Sequence, residues 1–422
     1  MTMDRRTFVT GLAAGVAGAA VWPQARAAGA ARPHVVVVGG GFGGATVCRY
    51  LRLWDAGIDV TMVERSPSFI SCPMSNLVLS GDRDLADNTF GYEGLERLGV
   101  RRVQAEVGGV DPAKRRIVLA DGTQLSYDRL VLSPGIDFLW DTVAGMNEAI
   151  AAERVPHAWK AGPQTLLLRR QLESMVEGGT CLLSIPRSPY RCPPGPYERV
   201  SLIASYLKRV KPRSKILVLD ANAEIVSKKG LFLKAWSELY PGMVEYVPNS
   251  TVVEVDADSK TVRTDFDDFK AEVLNVIVPH AAGRIAHEAG VVNVDRRWVG
   301  VDFRTYESTA VPGIHVIGDA TSAAPAPKSA HTANNQAKIC ASALIAALRG
   351  QAPNPAPVSA NTCYSFASPT EAMHVAAVYR YDPAKGMLVT AEGTSGVSGK
   401  RSEEEARFAR AWAENIWRDA LQ

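Results

Sequence analysis

Residues 34–65, HVVVVGGGFGGATVCRYLRLWDAGIDVTMVER, begin with four consecutive valines closed off at once by glycines, the pattern of a strand buried on both faces. Apolar positions then recur at helical spacing as far as a stop at Gly57, and DVTMVE follows as a second buried strand. This is a βαβ unit. A second one is legible in residues 178–224, GGTCLLSIPRSPYRCPPGPYERVSLIASYLKRVKPRSKILVLDANAE, as strand, turn, helix and strand. Between the two, KRRIVLADGTQLSYDRLVLSPGI predicts a hairpin turning at Asp121-Gly122 and then another buried strand. Near the end GIHVIGDAT is a strand running into Gly318 and Asp319, and SAHTANNQAKICASALIAALRG is a helix closed by Gly350. The proline-rich stretch QAPNPAPVSAN predicts a linker, so that residues after about 358 form a separate module.

Two βαβ units arranged in this way predict an α/β chain with two dinucleotide-binding domains and a small C-terminal α+β module. The first domain is discontinuous, 28–145 and 287–357; the second is 146–286; the last module is 358–422. The chain has 422 residues, enough for several domains. Its first residues, MDRRTFVTGLAAGVAGAAVW, carry Arg5, Arg6 and Phe8 ahead of an apolar run, with ARAAG as a small-residue cleavage site; this reads as a twin-arginine signal over 1–27 and predicts export to the periplasm. The run from Gly11 to Trp22 is short of the ~20 residues a membrane span needs. Loss of the signal lowers the formal charge from +3 to +1, a balance that predicts neither nucleic acid nor stable membrane insertion.

Gly39, Gly41 and Gly44 form GxGxxG between strand and helix, where backbone N–H groups can approach a pyrophosphate, and Glu64 ends the second strand where a carboxylate meets a ribose. Asp319, at the carboxyl end of a buried strand, favours FAD over NAD, since it can accept from the ribityl chain. The second unit has five prolines between Pro186 and Pro196 in place of a glycine loop. Proline has no N–H to offer a phosphate, so this domain is expected to keep the layout and lack a functional NAD site.

Of six cysteines, Cys48, Cys181 and Cys340 sit in apolar helix or strand patterns and read as core. Cys72, Cys192 and Cys363 lie in loop-like surroundings, SCPMS, YRCPPG and NTCYS. A bridge between Cys192 and Cys363 would be either a redox pair beside the flavin or a staple worth about 4 to 5 kcal/mol by loop entropy; the residues alone leave both open. Cys72, eight residues past Glu64, is at most roughly 27 Å from it along an extended chain, enough to reach from ribose to flavin ring. No HExxH or closely spaced Cys/His set predicts a metal, no GxSxG a hydrolase, and no CxxCH a haem of its own.

Taken together, GGGFGG, CPMSNLVLSG, YRCPPGPYER, VIGDA and PKSAHTANNQAK resemble the flavoprotein subunit of flavocytochrome c sulfide dehydrogenase, over essentially the whole mature chain. The resemblance implies a glutathione-reductase-like flavoprotein that oxidises sulfide and passes electrons to a c-type cytochrome subunit in a heterodimer. It implies FAD attached through Cys72, a redox disulfide between Cys192 and Cys363, and a nearby carboxylate at Glu198, which could equally be a helix-terminal acid. The cofactor set it implies also takes in Phe42, Gly43, Arg65, Val107, Ser133, Gly135 and Gly318, with Lys328 and the helix near Ser329 facing the flavin. A sulfide:quinone oxidoreductase and a non-catalytic FAD-binding electron-transfer subunit are the competing readings.

Overall fold

The computed structural model describes residues 32–422, so the twin-arginine segment lies outside the described residues. The valine run forms the strand His34–Val38 at the heart of a seven-stranded sheet. On one side of it lie Asp59–Glu64 and Val100–Gln104, and on the other Arg129–Leu132 and Ile314–Val316. These five are parallel, with Val36 opposite both Thr61 and Leu130, and His315 opposite Val131. Every valine of the run is buried, as a strand covered on both faces requires. Residues from both ends of the chain therefore build one sheet, and the strand from the late segment delivers Asp319 beside the glycine loop.

A second, four-stranded parallel sheet orders Val244–Val247, Lys215–Asp220, Thr180–Ile185 and Val273–Val276. The helix Gly195–Val210 crosses between its two central strands and starts just after the proline-rich loop. A short antiparallel pair, Ile136–Phe138 with His280–Ala282, ties the chain where it leaves the first sheet to the point where it returns.

The C-terminal residues form a long hairpin, Val358–Phe366 with Ala372–Asp382, and the helix Glu403–Leu421. The proline-rich stretch does not isolate them. Phe366, Tyr379, Leu388, Trp417 and Leu421 belong to the same apolar core as Val35 and Leu130, because the hairpin lies along the helix Ala330–Leu348 and the last helix lies on Phe42–Trp54. Polar contacts fix the same docking: Trp417 donates to Ser71 Oγ (2.8 Å), and Asp419 accepts from Tyr50 (2.6 Å) and Asn334 (2.7 Å). Among the described residues no helix is long and apolar enough to cross a membrane.

Candidate active site

The helix Phe42–Trp54 begins at Gly41 with no side chain capping its first turn, leaving backbone N–H groups free for an anion. The loop has no room for side chains: a Cβ on Gly44 would lie 1.7 Å from the Gly39 carbonyl oxygen. Glu64 is held at its mouth, accepting from the Gly40 N–H (2.6 Å) and the Ser66 N–H (2.7 Å). A carboxylate has about four lone-pair positions, so two remain for hydroxyls. Gly41, Phe42, Gly43 and Glu64 line a cavity of about 530 Å³ that is also lined by Ser133, Gly135, Gly318 and Asp319. Asp319 Oδ1 is buried with no hydrogen-bond partner. Burial pushes this carboxyl above its ordinary range, against the pull of Arg191 and Lys328. An orphaned acceptor, a crowded glycine turn and a fixed carboxylate facing one cavity fit a dinucleotide with a polyhydroxyl chain.

Four of the expected cofactor residues do not line that cavity in the way the sequence suggests. Gly39 and Gly44 shape the loop from within. The exposed Arg65 side chain lies 3.9 Å from Glu106, and Val107 is buried in the core. Lys328 is a fifth: its ammonium donates to the carbonyls of Asp319 (2.9 Å) and Thr321 (2.6 Å) and stacks over Trp298 at 3.6 Å. Burial lowers it to about 8. With its donors directed at backbone, Lys328 braces the Asp319 turn.

Three cysteines from distant segments line this one cavity, Cys72, Cys192 and Cys363. All six cysteines are free thiols here, and Cys48, Cys181 and Cys340 are fully buried in the core. Cys192 has a left-handed backbone, φ +58°, a conformation that costs a residue with a Cβ of order 1 kcal/mol or more and is retained where the surroundings over-determine it. Its N–H donates to the Lys328 carbonyl (2.8 Å), its carbonyl accepts from the Gly195 N–H (2.9 Å), and Trp159 donates to the neighbouring Arg191 carbonyl (3.0 Å). Burial, then the nearby Cys363 and Glu198, push the Cys192 thiol up. Burial also raises Cys363, opposed by Lys228, Asn361 and Ser329, and Asn361 Nδ2 donates to its sulfur at 3.3 Å. Cys72 sulfur accepts from Arg191 Nη2 at 3.3 Å.

Glu198 joins the three parts of the molecule. It sits in the first turn of Gly195–Val210, accepts from Asn76 Nδ2 (2.8 Å) four residues past Cys72, and accepts from the Phe366 N–H (2.9 Å) three residues past Cys363. Burial raises its carboxyl, offset in part by those donors and by Lys228 and Arg199. A carboxylic acid lifted in this way beside two thiols is placed to hold or release a proton. Arg199 completes the frame, reaching Asn76 Oδ1 (3.1 Å), the His157 carbonyl (2.8 Å) and Asn275 Oδ1 (3.0 Å). Asn76, Arg191, Arg199, Asn361 and Lys228 escape the sequence reading. Four of them are neighbours of quoted motifs, so the motifs carried a signal; Lys228 had none.

The second nucleotide position is closed. Asp220 stands at the end of its strand as Glu64 does, yet it is fully buried and accepts from Tyr197 (2.8 Å), Tyr246 (2.8 Å) and the Asn222 N–H (2.9 Å). No ribose can reach it.

Residues 165–279 match the family described as sulfide dehydrogenase (flavocytochrome c) flavoprotein chain, central, and residues 355–421 match flavocytochrome c sulphide dehydrogenase, flavin-binding. Residues 33–162 match the pyridine nucleotide-disulphide oxidoreductases. A flavocytochrome c sulfide dehydrogenase flavoprotein chain from Chlorobaculum thiosulfatiphilum is 59% identical over 45 residues, 11% of this chain and 94% of that sequence. The chain belongs to the sulfide-oxidising flavoproteins. Within that family it is also similar to the mitochondrial sulfide:quinone oxidoreductase of Dictyostelium discoideum, 25% identical over 327 residues, 74% of this chain and 70% of that one. In fold it resembles the sulfide:quinone oxidoreductase of Aquifex aeolicus, with a TM-score of 0.76 at 17% identity, covering 92% of this chain and 91% of that one. The fold of this sulfide-oxidising flavoprotein is that of the FAD-dependent pyridine nucleotide-disulfide oxidoreductases, and FAD is its cofactor.

Proposed function

We propose that this chain is the flavoprotein subunit of a periplasmic sulfide dehydrogenase that opens a Cys192–Cys363 disulfide with hydrosulfide and delivers electrons to a c-type cytochrome subunit. One observation carries the reading: Cys72, Cys363, and Cys192 with Glu198, from three separate segments, line one cavity with the glycine loop and Asp319. Hydrosulfide attacks one sulfur of the disulfide. A new S–S bond forms as the old one breaks, leaving a persulfide on one cysteine and the displaced electron pair as a thiolate on the other. Glu198 holds the proton that the attacking sulfur sheds. FAD, when bound, supplies an acceptor for an electron pair that releases electrons singly. Gly41, Gly43, Glu64 and Asp319 would hold it, and Cys72, with Arg191 against its sulfur, would attach it by a thioether. The chain has no CxxCH, which supports a haem on another polypeptide, and its twin-arginine segment supports export.

Three measurements test this. Mass spectrometry of the Cys72 peptide should show the added mass of FAD; an unmodified peptide with all flavin freed by acid removes the covalent claim. Cys192→Ser should slow bleaching of the flavin by sulfide at least about a hundredfold, whereas an unchanged rate would leave the disulfide without a catalytic role. NADH should leave the flavin spectrum unaltered. A sulfide:quinone oxidoreductase is the second reading, favoured by the similarity over three quarters of the chain to such enzymes. Faster turnover with a soluble ubiquinone analogue than with cytochrome c would select it.

A further inference from the structure

Lys228 is buried, with a left-handed backbone of φ +56°, at the start of the helix Lys229–Leu239, and the chemistry above does not use it. Its ammonium donates to the Cys363 carbonyl (2.9 Å) and to Ser365 Oγ (2.8 Å), the two residues flanking one step of the strand that carries the Cys363 sulfur. A buried ammonium is costly unless an anion compensates it. Among the described residues no carboxylate forms an ion pair with Lys228. The groups that act on its charge are Cys363 first, then Glu198, Cys192 and Glu405, with the Phe232 ring 6.0 Å away. A charge set among two redox sulfurs, and neutralised by no carboxylate in contact, lacks its anion until a sulfur becomes one.

Resting on the disulfide chemistry proposed above, we infer that Lys228 is the positioning residue of Cys363: it pins the strand at residues 363 and 365 and favours the thiolate at the reduced Cys363 sulfur more than the buried site alone would allow, which makes the disulfide a stronger oxidant. The donor at Asn361 Nδ2 points at the same sulfur and acts in the same sense. Burial lowers Lys228 to about 8 even with these anionic neighbours, so the cation is present at neutral pH and is lost in mildly alkaline solution. An opposite charge at such range typically shifts a titration by about one unit or more.

The test uses the full protein in glutathione redox buffers. Two glutathione molecules become glutathione disulfide, the Cys192–Cys363 bond breaks, Cys192 takes up one proton, and the second proton goes to Cys363 or to solvent according to how far Cys363 ionises. After acid quench and alkylation, the two cysteine peptides are counted by mass. Lys228→Met should displace the equilibrium toward the disulfide at least about tenfold and move the pH midpoint for iodoacetamide labelling of Cys363 upward by about one unit, with Lys228→Arg restoring both. An equilibrium and a labelling midpoint equal to wild type in Lys228→Met overturn the inference. If Lys228→Met is insoluble, Lys228→Arg decides alone. It keeps its charge above pH 8, so at pH 9 its pair should be reduced more readily than that of wild type, and equal reduction overturns the inference. A wild-type protein that forms no Cys192–Cys363 disulfide in oxidising glutathione removes the underlying reading, and the labelling midpoint still decides the role of Lys228.

Discussion

The two βαβ units share strand, loop, helix and strand, and each ends its second strand in a carboxylate, Glu64 in one and Asp220 in the other. They differ in what surrounds that carboxylate. Glu64 is held by two backbone donors at the edge of an open cavity, whereas Asp220 is sealed beneath two tyrosine hydroxyls. The preceding loops differ in the same sense: glycines present N–H groups in the first, and prolines remove them in the second while a strained Cys192 takes the position nearest the cavity. A nucleotide site is thus lost less by erasing its acid than by giving the acid internal partners, and the vacated loop can then present sulfur.

The comparison breaks most sharply at the first loop. Gly44→Val forces a branched side chain into the Gly39 carbonyl, and the soluble protein should carry almost no flavin, read as the ratio of absorbance at 450 nm to that at 280 nm. Asp220→Ala leaves the Tyr197 and Tyr246 hydroxyls and the Asn222 N–H without their acceptor. It should cost about 3 kcal/mol in urea unfolding and leave flavin content per folded molecule unchanged; a loss of flavin instead would mean that the second site still serves a nucleotide. A smaller effect is expected from pH. His157 packs against Phe138 with ring centroids 3.9 Å apart and accepts from the Trp159 N–H (2.8 Å). Burial first, then Lys160, Arg199 and Arg191, lower it to about 2. Its unfolded value of about 6.5 lies higher, so the stability it contributes is full above pH 6.5 and is lost as pH falls toward 2. Unfolding free energy should drop by ~2 kcal/mol from pH 7 to pH 5 on its account, and His157→Gln should flatten that slope. Tyr246→Phe, which takes one of four donors from Asp220, should cost about 1 kcal/mol, less than Asp220→Ala.

The strands, the first glycine loop and the closed second loop were legible because each rests on local chemistry: a valine run, a crowded turn, prolines without N–H groups. The three cavity cysteines were legible by contrast with the three in apolar patterns, although Cys363, read as a loop residue, lies within the strand Val358–Phe366, where polar neighbours alternate with buried positions. Lys328 was misjudged because a lysine next to a helix start says nothing about which carbonyls its ammonium will find, and here those of Asp319 and Thr321 take it. The tail was legible as a module of its own, close to the family match over residues 355–421, but not the core it shares with the first sheet, because proline content reports on the local chain and not on where Phe366 will be buried. Lys228 was invisible, since its link to Cys363 comes from a strand laid over a helix start 135 residues away in sequence.

The hydrogen bond from the Phe366 N–H to Glu198 has a consequence for biosynthesis. A nascent chain that has left the ribosome as far as the proline-rich stretch has its glycine loop, but it lacks Cys363, the amide that fixes Glu198, Trp417 against Ser71, and the last helix that packs on Phe42–Trp54. Truncation shortly before residue 358 should therefore yield a polypeptide that retains little flavin and cannot handle sulfur, so that reactivity is withheld until translation is finished.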